Sequence, residues 1–190
     1  TAFMEKMELK PKKGMVLVSK PFLHDPYFKR SVVLLTEHNK QGTVGFILNK
    51  PINIKINEAL EEFPAFDSRL YMGGPVQKES LYYLHTLGNT LSNSMEICKG
   101  VYWGGNFEAL KIIIESKVIE SSNLRFYMGY SGWDGKQLTR ELNNDSWIVA
   151  PGKSDYVINE DPLTLWTNIL KGMGKEYAML ANFPEHPSLN

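Results

Sequence analysis

Three apolar runs rich in β-branched residues crowd the first fifty positions, and they restrict the fold more than any other feature of the chain. Met15–Ser19 (M-V-L-V-S) predicts a buried strand, entered through Gly14 and stopped by Pro21. Ser31–Glu37 (S-V-V-L-L-T-E) and Thr43–Asn49 (T-V-G-F-I-L-N) predict two more strands. The segment between them, H-N-K-Q-G, supplies Asn39 and Gly42 for a short hairpin loop.

Further along, Asn57 is expected to cap a short helix with Glu58 in its first turn, where a negative charge suits the helix dipole. Its apolar positions are Ala59, Leu60 and Phe63, and Pro64 ends it. Leu70–Met72 and Ser80–Thr86 predict strands around the G-G-P-V turn. Ile97, Val101 and Trp103 mark a β region interrupted by Gly100. Asn106 predicts the cap of a helix with a buried stripe of Phe107, Leu110, Ile114 and Val118. Leu124 to Tyr130 alternates as a half-buried strand does, and Gly129 to Leu138 then predicts a strand-to-helix corner. Asp134 with Gln137 forms an Asp variant of the capping box, sending Leu138 and Leu142 inward. Asp161 and Pro162 predict the start of the last strong helix, with Leu163, Trp166, Leu170 and Met173 as its stripe and Gly174 at its end. Strands dominate early and helices are interspersed later without a regular βαβ rhythm. This argues for an α+β domain with a mixed, largely antiparallel sheet.

A chain of 190 residues suits one domain, with residues 1–13 as a polar, lysine-rich arm, flexible or a short helix, and 14–190 as the folded unit. Its single cysteine, Cys98, excludes an intramolecular disulfide and points to a reducing compartment. No run approaches the ~18 apolar residues of a membrane span, and T-A-F-M-E-K-M-E-L-K lacks the apolar stretch of a signal peptide, so a cytoplasmic protein is expected. Lys plus Arg equals Asp plus Glu at 21 each, which argues against a nucleic-acid binder because phosphate contacts need clustered positive charge. The densest basic stretch (Lys10, Lys12, Lys13, then Lys20, Lys29 and Arg30) predicts a solvated face.

Several segments together carry a resemblance. G-M-V-L-V-S-K-P followed by D-P-Y-F-K-R-S-V-V-L-L-T-E-H, then G-F-I-L-N-K-P, G-G-P-V, Leu84-His85 and G-Y-S-G-W followed by Gln137-Leu138 occur in the order found in the bacterial AlgH/YqgE family. The chain resembles that family from about residue 14 to residue 174. One departure is that Lys136 stands where the family places a Gly before the Gln-Leu pair. The resemblance implies a strongly curved, bifurcated sheet forming a pseudo-barrel with flanking helices. It also carries the label of transcriptional regulator and implies no catalytic residue.

G-Y-S-G-W nearly matches the G-x-S-x-G nucleophile elbow, and Ser131, then Asp155 or Asp161, then His186 follow the hydrolase order. Trp133 stands where a small residue is needed, His186 lies in a terminal tail, and the family pattern tolerates Ala at the Ser131 position. A structural corner of Gly129, Tyr130, Ser131, Gly132, Trp133 and Gln137 is therefore the preferred reading, with Tyr130 and Trp133 open to either core or interface. Gly104, Gly105 and Asn106, at a helix N-terminus, could cradle an anion, although no Gly-Lys-Ser/Thr of a Walker loop follows. His24, His38, His85 and His186 lack the close ligand spacing of a structural zinc site. His85 is expected to be a hydrogen-bonded, partly buried histidine on the strand face of Leu81 and Tyr83. No metal or cofactor is expected. The favoured function is a regulatory or adaptor protein acting through a protein partner or small ligand; direct DNA binding and a Ser131 hydrolase are the alternatives.

Overall fold

A computed structural model of the chain describes residues 9–183. Strands β1 (Met15–Ser19), β2 (Val32–His38) and β3 (Gly42–Ile47) form an antiparallel meander. The loop between the second and third is the expected hairpin, with Asn39 Oδ1 accepting from the N–H groups of Gln41 and Gly42. On its other edge β1 pairs antiparallel with β10 (Trp147–Pro151). All five residues of β1 are buried because both faces of the sheet are covered, which is why Met15 to Val18 are continuously apolar, while the buried Ser19 hydroxyl accepts from Ser31 N.

The sheet then forks at β9 (Leu124–Asp134). The C-terminal half of β9, Ser131 to Asp134, pairs with β3. Its N-terminal half pairs antiparallel with β6 (Val76–His85) and parallel with β5 (Arg69–Met72), which in turn pairs with β4 (Pro51–Lys55). Gly73 sits in the crotch: its N–H donates to Met128 O, and its carbonyl accepts from Ile47 N and Ser131 Oγ. A Cβ on Gly73 would stand 2.3 Å from Gly129 O, so only glycine lets the two arms meet.

Beyond β6 lie β8 (Val101–Trp103) and β7 (Met95–Cys98), joined by a tight turn in which Gly100 has φ +83. The interrupted β region is thus a hairpin. The curl of the sheet brings its ends together, since a Cβ on Gly14, beside β1, would lie 2.6 Å from Ile97 O in β7. The result is the curved, bifurcated α+β pseudo-barrel, with one parallel pair in an otherwise antiparallel sheet.

The apolar side chains form three clusters. Val16, Val18, Leu34, Phe46, Leu84 and Tyr127 line the inside of the curl, where Trp166 and Leu170 of α5 (Leu165–Gly172) close it. The Trp166 indole N–H donates to Ser19 O at 2.8 Å, fixing α5 to β1. Arg125 donates from Nη1 to the Tyr71 hydroxyl at 2.6 Å and from Nη2 to Ile158 O, the end of α4 (Ser154–Ile158). Beside it the Tyr127 hydroxyl is fully buried without a hydrogen-bond partner among the described residues, and burial pushes its ionisation far up. The second cluster packs Leu110 and Ile114 of α2 (Phe107–Glu115) on Leu70, Tyr83 and Phe126. The third packs Leu138 of α3 (Gln137–Asn143) on Leu17, Leu35, Ile47, Trp133 and Trp147.

Several expected boundaries move. Asn57 does not cap α1 (Ile56–Ala59), which starts from Lys55; its side chain instead staples the following loop, donating to Phe63 O and Pro64 O and accepting from Phe66 N. An Asn amide can satisfy three loop groups there, where a cap would satisfy one. Val118 lies past the end of α2 and is 77% exposed, because Ser116 already closes the helix. Asp161 Oδ1 accepts from Leu163 N in a turn, and α5 begins only at Leu165, leaving Leu163 exposed and placing Ile169 in the buried stripe. A further helix, α6 (Lys175–Ala181), follows Gly174. Residues 9–13 form no helix or strand, and the rest of the expected arm lies outside the described residues. No helix among the described residues is long and apolar enough to cross a membrane.

Candidate functional site

The segment Gly129–Leu138 is mainly strand: β9 runs on to Asp134, so the turn into α3 falls only at Gly135 and Lys136. Asp134 and Gln137 make the expected reciprocal bonds, Gln137 N to Asp134 Oδ1 at 2.9 Å and Asp134 N to Gln137 Oε1 at 3.2 Å. Lys136 needs no glycine freedom, with φ −120, whereas a Cβ on Gly135 would meet Lys40 O at 2.3 Å. The glycine of this turn is therefore the one that touches the β2–β3 loop.

Strand alternation divides the five residues of G-Y-S-G-W. Gly129, Ser131 and Trp133 are buried, while Tyr130 is half-buried and Gly132 exposed. Ser131 is no nucleophile elbow: it lies inside a paired strand opposite Gly45, and its hydroxyl donates at 3.0 Å to the Gly73 carbonyl at the fork. A nucleophilic serine must be exposed at a sharp turn with a base beside it, and this one is fully enclosed. The hydrolase reading is corrected on that ground; His186 lies outside the described residues. Trp133 is 5% exposed, with ring centroids 5.7 Å from Phe28 and 5.9 Å from Trp147. Its indole N–H and that of Trp147 both donate to Glu141 Oε1.

On the other face, Tyr130, Gly132, Val44 and Val76 line a shallow groove of about 520 Å³, with Glu37 and Gln41 at its rim. Tyr130 is braced edge-on by Tyr82, ring centroids 5.8 Å apart. Gly132 leaves its part of the groove wall without a side chain. Its backbone does not require glycine, and a Cβ would meet only ordinary contacts, 3.4 Å to the Tyr130 ring and 3.9 Å to Val76. Glycine in a strand interior accompanies a bulge, a tight bend, or the close approach of a ligand or another backbone.

Gly104, Gly105 and Asn106 form a second built feature. Both glycines have positive φ, +70 and +115, and Asn106 Oδ1 accepts from Ala109 N at 2.9 Å. Two of the turn's three backbone donors are already engaged, Gly104 N with Tyr83 O and Asn106 N with Ser92 O. Its carbonyls hold the buried side chains beneath: Gly105 O accepts from the Tyr83 hydroxyl and Gly104 O from His85 Nε2 at 2.8 Å. Glu108 adds a negative charge to the same first turn, opposing an anion there.

His85 is fully buried, with Nδ1 accepting from Leu87 N at 3.2 Å while Nε2–H donates to Gly104 O. This arrangement fixes the neutral tautomer, and desolvation lowers the pKa from its ordinary value, against a smaller raising effect of the Gly104 carbonyl. The unfolded chain binds the proton more readily, so His85 stabilises fully above the ordinary imidazole pKa of about 6.5 and loses that contribution as pH falls toward the lowered folded value. Equilibrium urea unfolding of wild type and His85→Gln across this range should give a shallower pH slope for the variant; parallel curves would contradict it. Cys98 is not activated either, since burial first and Glu96 second push its thiol up. Among the described residues, no group of three or more His, Cys, Asp or Glu is placed to hold a metal.

A family model described as AlgH-like matches residues 16–178. A UPF0301 protein of Cytophaga hutchinsonii is 45% identical over 179 residues, covering 94% of this chain and 98% of the relative. One of Chlorobaculum tepidum is 41% identical over 182 residues, 96% of each. A crystal structure of a Corynebacterium diphtheriae protein matches with a TM-score of 0.78 at 23% identity, covering 93% of this chain and 94% of that one. The solution structure of AlgH from Pseudomonas aeruginosa matches with a TM-score of 0.72 at 24% identity, covering 94% and 100%. At those identities the two structures speak to the fold alone.

Proposed function

This chain belongs to the AlgH-like family, and from that premise we propose that it is a non-catalytic binding protein of regulatory or adaptor type, acting through a protein partner or small ligand held over Gly132. The observation that carries the reading is the division of the signature segment. Its buried Gly129 and Ser131 clasp the fork of the sheet, Trp133 packs in the third apolar cluster, and its outward residues, Tyr130 and the sterically free Gly132, line the groove. Aromatic side chains braced from behind make good anchors because little rotamer freedom is lost on binding. Enclosure of Ser131, the raised Cys98 thiol and the engaged His85 supply no activated nucleophile or base.

Direct DNA binding has less support. The net charge is zero, Arg30 stacks over Trp166 at 4.8 Å, and Lys20 pairs with Asp145 at 3.1 Å. A mobility shift that survives competitor DNA and weakens steeply with salt would favour it instead.

Gly132→Val tests the reading. Val suits an exposed strand position, so the urea midpoint should move by less than about 0.5 kcal/mol equivalent. Native mass spectrometry of gently purified protein should show a bound small molecule or partner on the wild type that the variant lacks. Identical occupancy of both proteins would remove the groove from consideration.

A further inference from the structure

The outer edge of β10 is built as a template for another strand. Among the described residues β10 ends the sheet and is hydrogen-bonded to β1 alone. Lys20 N–H donates to Ser146 O at 3.0 Å, just beyond the Ser19–Trp147 pair. Antiparallel alternation therefore turns the amides and carbonyls of Ser146, Ile148 and Ala150 toward β1 and those of Trp147, Val149 and Pro151 away from it. The Val149 N–H and C=O make no hydrogen bond among the described residues. Edge strands are usually blunted by proline, lysine or a covering element; here Pro151 removes one donor at the end of the strand and leaves Val149 open.

A groove of about 440 Å³ runs beside this edge, separate from the one over Gly132. Leu9 and Met173 give it an apolar wall over the buried Leu165 and Ile169, and Asp155 and Glu160 give it an acidic rim against the single Lys153. Asp155 already accepts from Asn159 at 2.6 Å, while Glu160 makes no ion pair among the described residues. An unpaired donor and acceptor on one strand residue, beside an apolar wall, fit an extended backbone with alternate side chains directed into the groove. The excess of carboxylates selects a basic residue on that backbone. We propose that the β10 edge takes an extended, lysine- or arginine-bearing peptide segment of a partner protein as an added strand. This surface is independent of the Gly132 groove and stands whether or not that groove binds.

The probe is a fluorescein-labelled Lys-Val-Thr-Val-Thr-Val peptide, with two controls: its backbone N-methylated form and a form with Glu in place of Lys. Fluorescence anisotropy on the full chain should show saturable binding of the first. Either control should be weakened about tenfold, the size of one lost hydrogen bond or charge contact. Val149→Pro should weaken the peptide similarly, and Glu160→Lys, which leaves the strand untouched, should reverse the preference between the Lys and Glu forms. Hydrogen exchange of the Val149 amide should slow at least tenfold with bound peptide. No binding up to about 1 mM, at which about 4 kcal/mol of affinity would be visible, overturns the proposal, as does equal binding of the N-methylated form. So does sedimentation showing a wild-type dimer that Val149→Pro dissolves, since the edge would then belong to a second copy of this chain.

Discussion

Trp133→Ala is expected to lower the stability of the domain by about 3–5 kcal/mol, the range for removing a large buried aromatic. The indole fills the third apolar cluster between Phe28, Trp147 and Leu138, joining the C-terminal half of β9 to α3. Truncation removes its area from the core and leaves a cavity bounded by strands β2 and β3, which cannot collapse without breaking their pairing. It also removes one of two indole donors from Glu141, although Trp147 keeps that carboxylate partnered at 3.1 Å. Urea unfolding should show a lower midpoint with an unchanged slope. An unaltered midpoint would mean that the indole is not part of the core, and Trp133 would return to consideration as a binding residue.

Gly129→Ala should be of similar size, on the order of 2–5 kcal/mol, summing ~1–2 for a left-handed backbone and ~1–3 for forcing atoms into packed space. Gly129 has φ +73, and a Cβ there would stand 2.5 Å from Gly74 O and 2.9 Å from Val76 O. Both neighbours are backbone atoms of the strand arm folded against β9, so neither can swing aside as a side chain would. The internal control lies three residues away in the same strand. Gly132→Ala has ordinary φ and nearest contacts of 3.4 Å and 3.9 Å, and should leave the midpoint nearly unmoved. Equal unfolding midpoints for the two variants would show that the fork does not depend on Gly129.

Much of the fold was legible because local rules and tertiary demands agreed. The meander from Met15 to Asn49 follows from β-branched runs and an Asn-Gly-bearing loop. The Asn106 cap and the Asp134–Gln137 box follow from side-chain reach. Two of the misplacements share one cause, competition for the same donor or acceptor, whereas Val118 is exposed because Ser116 already closes α2. Asn57 has the chemistry of a cap but is claimed by the loop at Phe63 to Phe66, and Asp161 has it too but closes a turn four residues before α5. β10 went unpredicted because Trp147–Pro151, short and ending in proline, becomes a strand only through pairing with β1. The Gly132 groove had one available signal, an exposed-phase glycine within an alternating strand, but which glycine was sterically free could not be read from spacing.

The class of the molecule, the order of its segments, and its likeness to a family through G-Y-S-G-W and its companions are all written in the residue order. Propensity, alternation and motif order are properties of neighbours along the chain, so they survive without coordinates. Tertiary structure alone decided what those five residues do. Ser131 is a clasp because Gly73, 58 positions away, brings its carbonyl to the hydroxyl. Trp133 is core because β2 and β3 close over it, and Gly132 is open because nothing among the described residues folds against it. The edge at Val149, unpaired among the described residues, was decided in the same way, since a strand's hydrogen-bonding sides are fixed only when its partner takes one of them.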